Sequence, residues 1–105
     1  MKCFERDIID ELLSSEKGRG IEFSEKLKEE TVDYSGAGYF LTLKDPSLPK
    51  NRVVLDKPDI RGKLNGIDVG YLAYVENHEF TLECYSYDKE IIAQNREQDF
   101  ERIKT

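Results

Sequence analysis

The chain has 105 residues, enough for one core but not two, and it is 38% hydrophobic and 36% charged, a balance that excludes a disordered polymer. A formal charge of −6 and a pI near 4.8 argue against nucleic acid or anionic membrane as ligand and favour a basic protein partner by steering. No run approaches the roughly 20 apolar residues of a membrane span, and Glu5 and Asp7 make the N-terminus unlike a signal peptide, so a cytoplasmic single domain over residues 1–105 is expected.

From Cys3 to Ser15 the apolar residues Phe4, Ile8, Ile9, Leu12 and Leu13 recur at helical spacing, with Asp7, Asp10 and Glu11 on the other side. The spacing predicts an amphipathic helix ending near Gly18, which can supply the left-handed residue of a C-cap. Residues 21–33 admit two readings. Ile21 to Phe23 alternates like a short strand, while Ser24 can cap a short helix reaching Lys28 or Glu30, and the density of Glu and Lys makes the segment solvated in either case.

Tyr34-Ser35-Gly36-Ala37-Gly38 reads as a turn, and Tyr39 to Leu43 as a strand. Pro46 and Pro49 make residues 45–51 a loop, Arg52 to Leu55 is a further strand, and Pro58 separates that strand from a meander over residues 59–87. Asn65-Gly66 is a strong hairpin signal, because a type I′ turn needs positive φ at both central positions. It pairs Leu64 with Ile67, Gly62 with Val69 and Ile60 with Tyr71. The turn at Glu76-Asn77-His78-Glu79 uses residues that tolerate positive φ, and sets Val75 opposite Phe80, Ala73 opposite Leu82 and Tyr71 opposite Cys84.

The two registers agree. Each puts its share of Ile60, Leu64, Ile67, Val69, Tyr71, Ala73, Val75, Phe80, Leu82 and Cys84 on one face, and a slip of one residue would break the agreement. The expected fold is therefore α+β: an antiparallel sheet of about five strands with the N-terminal helix packed on one face. After Tyr87, Ile91-Ile92-Ala93 is a small apolar island, and residues 100–103 form a short edge strand or a helical turn.

No residue is assigned a catalytic, cofactor-binding or metal-binding role. His78, the one histidine, sits in a turn and reads as tolerance of positive φ, since a general base needs a positioned partner and a metal needs more ligands. Cys84 faces the core beside Glu83, surroundings that raise a thiol pKa, and no disulfide is expected, since Cys3 lies near a terminus while Cys84 faces inward. Ser35-Gly36-Ala37-Gly38 lacks the endings of phosphate-binding loops and precedes a strand. The carboxylates read as a solvated surface, with no cleft in which one acid would be desolvated.

The opposite face of the meander carries Leu72, Tyr74, Thr81, Glu83, Tyr85 and Tyr87, with Arg61 and Lys63 on its first strand. Tyrosine offers a large contact area and a hydroxyl at modest entropic cost, and is enriched where proteins meet. Tyr74, Glu83, Tyr85 and Tyr87 are the candidate partner-binding residues, with Glu29, Glu30 and Asp33 as steering charge. The alternatives are plain cross-strand pairing of Tyr and Thr on an exposed sheet, or cover by residues 21–33 or 88–105.

Ser35-Gly36-Ala37-Gly38-Tyr39-Phe40, followed by Gly70-Tyr71-Leu72-Ala73-Tyr74-Val75-Glu76 and Leu82-Glu83-Cys84-Tyr85-Ser86-Tyr87, resembles small acidic bacterial proteins of the toxin–immunity type over roughly residues 34–88. The resemblance implies a non-catalytic protein that binds and blocks a basic toxin domain. Immunity proteins vary widely in fold and sequence, so no functional residue is carried over. The alternatives are a homodimeric structural or accessory protein and a small enzyme or ligand-binding domain.

Overall fold

The structure, a computed structural model, describes residues 1–21, 29–87 and 89–103. Helix α1 (Cys3–Leu13) and a 3-10 turn (Glu16–Gly18) precede strands β1 (Glu29–Tyr34), β2 (Gly38–Lys44), β3 (Val53–Leu64), β4 (Ile67–Glu76) and β5 (Glu79–Ser86). A short helix α2 (Ala93–Arg96) and strand β6 (Phe100–Arg102) complete the described elements. All six strands join one antiparallel sheet in the order β1-β2-β5-β4-β3-β6.

The meander has the register that its turns dictate. Leu64 pairs with Ile67, Gly62 with Val69, Ile60 with Tyr71, Val75 with Phe80, Ala73 with Leu82 and Tyr71 with Cys84. Asn65 (φ 52°) and Gly66 (φ 80°) are both left-handed, as a type I′ turn requires, and so are Asn77 (φ 52°) and His78 (φ 64°). The second loop thus has two residues, with Glu76 paired to Glu79. His78 also fastens a neighbouring loop: its Nδ1 lies 2.7 Å from the Leu48 carbonyl and donates to it.

Nine of the ten inward residues are buried, from Ile60 to Cys84, and Ile67 packs partly buried against them. Ile8, Ile9 and Leu12 of α1 join this core, together with Tyr39, Leu41 and Leu43 of β2, Leu55 of β3, and Ile21, Leu48 and Ile91, with α1 lying against β3 and β4. One apolar helix stripe covers one sheet face, the arrangement that shields both.

Three expectations are corrected. The sheet has six strands rather than about five, because β1 and β6 are both present and residues 53–64 form one strand. Pro58 does not separate two strands. Leu55 pairs with Ala73 and Ile60 with Tyr71, so Asp56 to Asp59 bulge opposite Leu72 alone, on a stretch of β3 that β6 does not cover. Proline has no amide to donate and is tolerated at such an edge bulge.

Gly18 is not the left-handed cap either. That conformation falls at Gly20 (φ 82°), while Gly18 is buried so close to the Leu13 backbone that a Cβ there would overlap it. Of the ambiguous segment, residues 22–28 lie outside the described residues. From Glu29 onward it is strand, not helix.

Candidate functional site

Strand alternation sorts the outer side chains of the sheet into rows that cross the strands. One row is Thr31, Thr42, Thr81, Tyr74 and Val54. On one side of it lie Lys44, Glu79 and Glu76, and on the other Asp33, Phe40, Glu83 and Leu72. Threonine is short and its flanking neighbours are long, so the threonine row forms the floor of a groove. The groove measures about 440 Å³ and is lined by Thr31, Asp33, Thr42, Lys44, Tyr74, Glu76, Asn77, Glu79 and Thr81. Thr42 and Thr81 touch across its floor, Oγ1 to Oγ1 3.4 Å, and Tyr74 stands at its β4 end.

The next row holds Gly38, Tyr85, Gly70 and Arg61. The Tyr85 ring lies over Gly70 in the space that a Cβ would otherwise fill, so the missing side chain is what lets the ring pack flat on the sheet. Burial, followed by its hydrogen bond with Tyr87, pushes the Tyr85 hydroxyl up to about 12. Tyr85 and Tyr87 meet edge to face at 5.7 Å, and the Arg61 guanidinium sits 5.7 Å from the Tyr87 ring centre. Tyr87 itself is 54% exposed. Beside it a second hollow of about 420 Å³ opens between Gly36, Ala37, Ser86, Lys89 and Glu90.

The charges of this face do not cancel. Lys44 pairs with Glu79 (3.6 Å), Arg52 with Glu76 (3.3 Å), Arg61 with Asp59 (3.0 Å) and Lys63 with Asp68 (3.1 Å). Arg52 also rests over the Tyr74 ring, 4.7 Å from its centre. Asp33 and Glu83 have no counter-charge among the described residues, which leaves the face net negative.

The expected partner-binding residues thus separate. Tyr74, Glu83, Tyr85, Tyr87 and Asp33 share the outer face. Glu30 does not join them: it pairs in register with Leu43, on the helix side, where its carboxylate binds the N-terminal amine at 2.6 Å. Glu29 lies in register with Lys44, and its side chain is outside the described ones.

The sequence reading missed a polar cluster on the inner face. Glu5 of α1 is fully buried. Its carboxylate accepts from the Lys2 amide (2.7 Å), the Tyr39 hydroxyl (2.6 Å), and Arg96 Nε and Nη2 (2.8 Å each). Tyr39 in turn meets the Tyr71 hydroxyl at 2.8 Å, and Tyr71 lies in register with Cys84 on the neighbouring strand.

Burial raises the pKa of Tyr39 and Tyr71 and pushes the Cys84 thiol up to about 12. The Glu5 hydrogen bond raises that of Arg96. One signal was legible, since Glu5 stands three and four residues before Ile8 and Ile9, within the apolar stripe. With four donors on two oxygens, Glu5 has nothing left to offer a substrate.

Both cysteines are free, and no trio of His, Cys, Asp or Glu among the described residues is placed to hold a metal ion. No described helix is long and apolar enough to cross a membrane. No family model, curated protein or solved structure matches the chain. The functional reading therefore rests on the geometry of the outer face.

Proposed function

We propose that the chain is a non-catalytic protein-binding domain whose outer sheet face docks a basic protein. The observation that carries this is the pairing of charges there. Lys44, Arg52, Arg61 and Lys63 are each paired with a carboxylate of the chain, while Asp33 and Glu83, on the same face as Tyr74, Tyr85 and Tyr87, have no ion-pair partner among the described residues. Residual negative charge speeds encounter with a cationic surface, and the aromatic rings supply area that holds once water is excluded. The described helices leave this face clear: α1 packs against β3 and β4 from the core side, and Arg96 of α2 reaches inward to Glu5. The resemblance to toxin–immunity proteins supports a specific form of the reading, in which the docked protein is a basic toxin domain and docking masks its working surface.

Self-association through the same face is disfavoured, because it would bring two faces with the same excess of negative charge together. Affinity capture from the native host is the test. A basic protein should be retained, released as salt rises, and lost on Tyr74→Ala, Tyr85→Ala or Tyr87→Ala. Tyrosine variants that retain it at full affinity would overturn the docking face. A stable dimer in sedimentation at micromolar concentration, with the tyrosines buried, would replace it with self-association.

A further inference from the structure

The threonine-floored groove has a shape and a charge that select its occupant. Resting on the docking reading above, we infer that the groove receives the side chain of an arginine from the basic partner. Three observations converge on that chemistry.

The first is size. The floor spans Thr31 of β1, Thr42 of β2 and Thr81 of β5, two strand spacings or about 10 Å, which suits one extended long side chain rather than a helix or a strand. The second is the donor and acceptor balance. At the β1 end, the Thr31 and Thr42 hydroxyls can accept from a guanidinium head whose methylene stem crosses Thr81, and Asp33, without a counter-charge among the described residues, supplies a carboxylate on the wall. Glu76 and Glu79 are already matched by Arg52 and Lys44, so the unspent negative charge in the groove is that of Asp33.

The third is a resident example. Arg52 lies over the Tyr74 ring while its Nη1 bonds Glu76 at 3.3 Å, so the same wall already holds a guanidinium by stacking and charge. The forked, planar head favours arginine over lysine here, because a guanidinium can donate to Asp33 and to a threonine hydroxyl at once, while an ammonium is a compact point charge.

The test titrates the full chain with N-acetyl-arginine amide, and separately with N-acetyl-citrulline amide, which has the same length and no charge, following backbone amide shifts by NMR. Saturable shifts at Thr31, Asp33, Thr42, Tyr74 and Thr81 are expected with arginine and not with citrulline. Asp33→Asn should weaken arginine binding about fivefold, the upper range for an exposed ion pair. Asp7→Asn, which removes the same charge from α1, should leave it unchanged.

Equal binding of citrulline, shifts that track the acidic residues of α1 instead, no saturable shift, or equal effects of the two Asp variants would each overturn the groove assignment. The two readings fail separately. If the tyrosine variants lose the captured protein but arginine finds no groove, the docking face stands and this inference falls. If arginine binds the groove while tyrosine variants keep the protein, the groove stands as an arginine site, while the tyrosine docking face falls and with it the assignment of that arginine to the docked partner.

Discussion

Glu5 occupies a place that the stripe of α1 would ordinarily give to leucine. It is fully buried and survives there because Arg96, Tyr39 and the Lys2 amide saturate it. Removing one partner of such a pair strands the other charge, so Arg96→Ala should cost about 3–5 kcal/mol in urea denaturation. The double variant Glu5→Leu with Arg96→Met should recover most of that loss, since neither charge then needs a partner. The cysteines give a second residue-scale expectation. Cys84 is buried with its thiol pushed up to about 12, whereas Cys3 is exposed. A thiol reagent at neutral pH should modify one cysteine per chain, Cys3, and reach Cys84 only in denaturant; mass mapping of the labelled peptide decides it.

At the scale of elements, the outer rows depend on glycines that let chain and ring approach the sheet. A Cβ on Gly38 would overlap the Cys84 carbonyl oxygen, which is backbone and cannot swing away, whereas the atoms nearest to one on Gly70 belong to the Tyr85 side chain, which can. Gly38→Ala should therefore cost at least about 2 kcal/mol, and Gly70→Ala distinctly less while it shifts the Tyr85 ring, as thermal unfolding and aromatic NMR shifts would report.

The meander was legible in the sequence because its information is local: Asn65-Gly66 and Asn77-His78 fix the turns, and period two does the rest. Pro58 misled because a proline that ends a central strand is tolerated in an edge bulge, and whether a strand lies at an edge is a property of the assembled sheet. The Glu5–Arg96 pair was hidden for a similar reason, since nothing local links residues so far apart. On the outer face, the placement of Tyr74, Glu83, Tyr85 and Tyr87 came from alternation. The groove did not, because it needs β1 and β2 beside β5, and that order is set by long-range pairing.

For the whole molecule, the phenols and thiol of the core tie stability to alkaline pH. Tyr39, Tyr71 and Cys84 have folded-state pKa values raised by burial, so the folded chain keeps protons that the unfolded chain releases above its ordinary Cys and Tyr values of 9.0 and 10.0. Their contribution is complete below about pH 9 and is lost as pH rises, at about 1.4 kcal/mol per pH unit for each group once its unfolded form ionises. Urea midpoints should hold near neutrality and fall steeply above pH 10, and Tyr71→Phe should reduce that slope by one proton.

The same global view applies to the ion pairs between distant parts of the chain. Lys2 meets Glu97, Glu5 meets Arg96 and Glu11 meets Arg102, so α1 is tied at three points to the segment that carries α2 and β6. A ribosome that has built everything up to Asn95 has thus made a helix still lacking the cation that must accompany it into the core. Released chains truncated before Arg96 should stay open to protease, and those that include Arg102 should resist it, so that closing the core waits on the segment that carries α2 and β6.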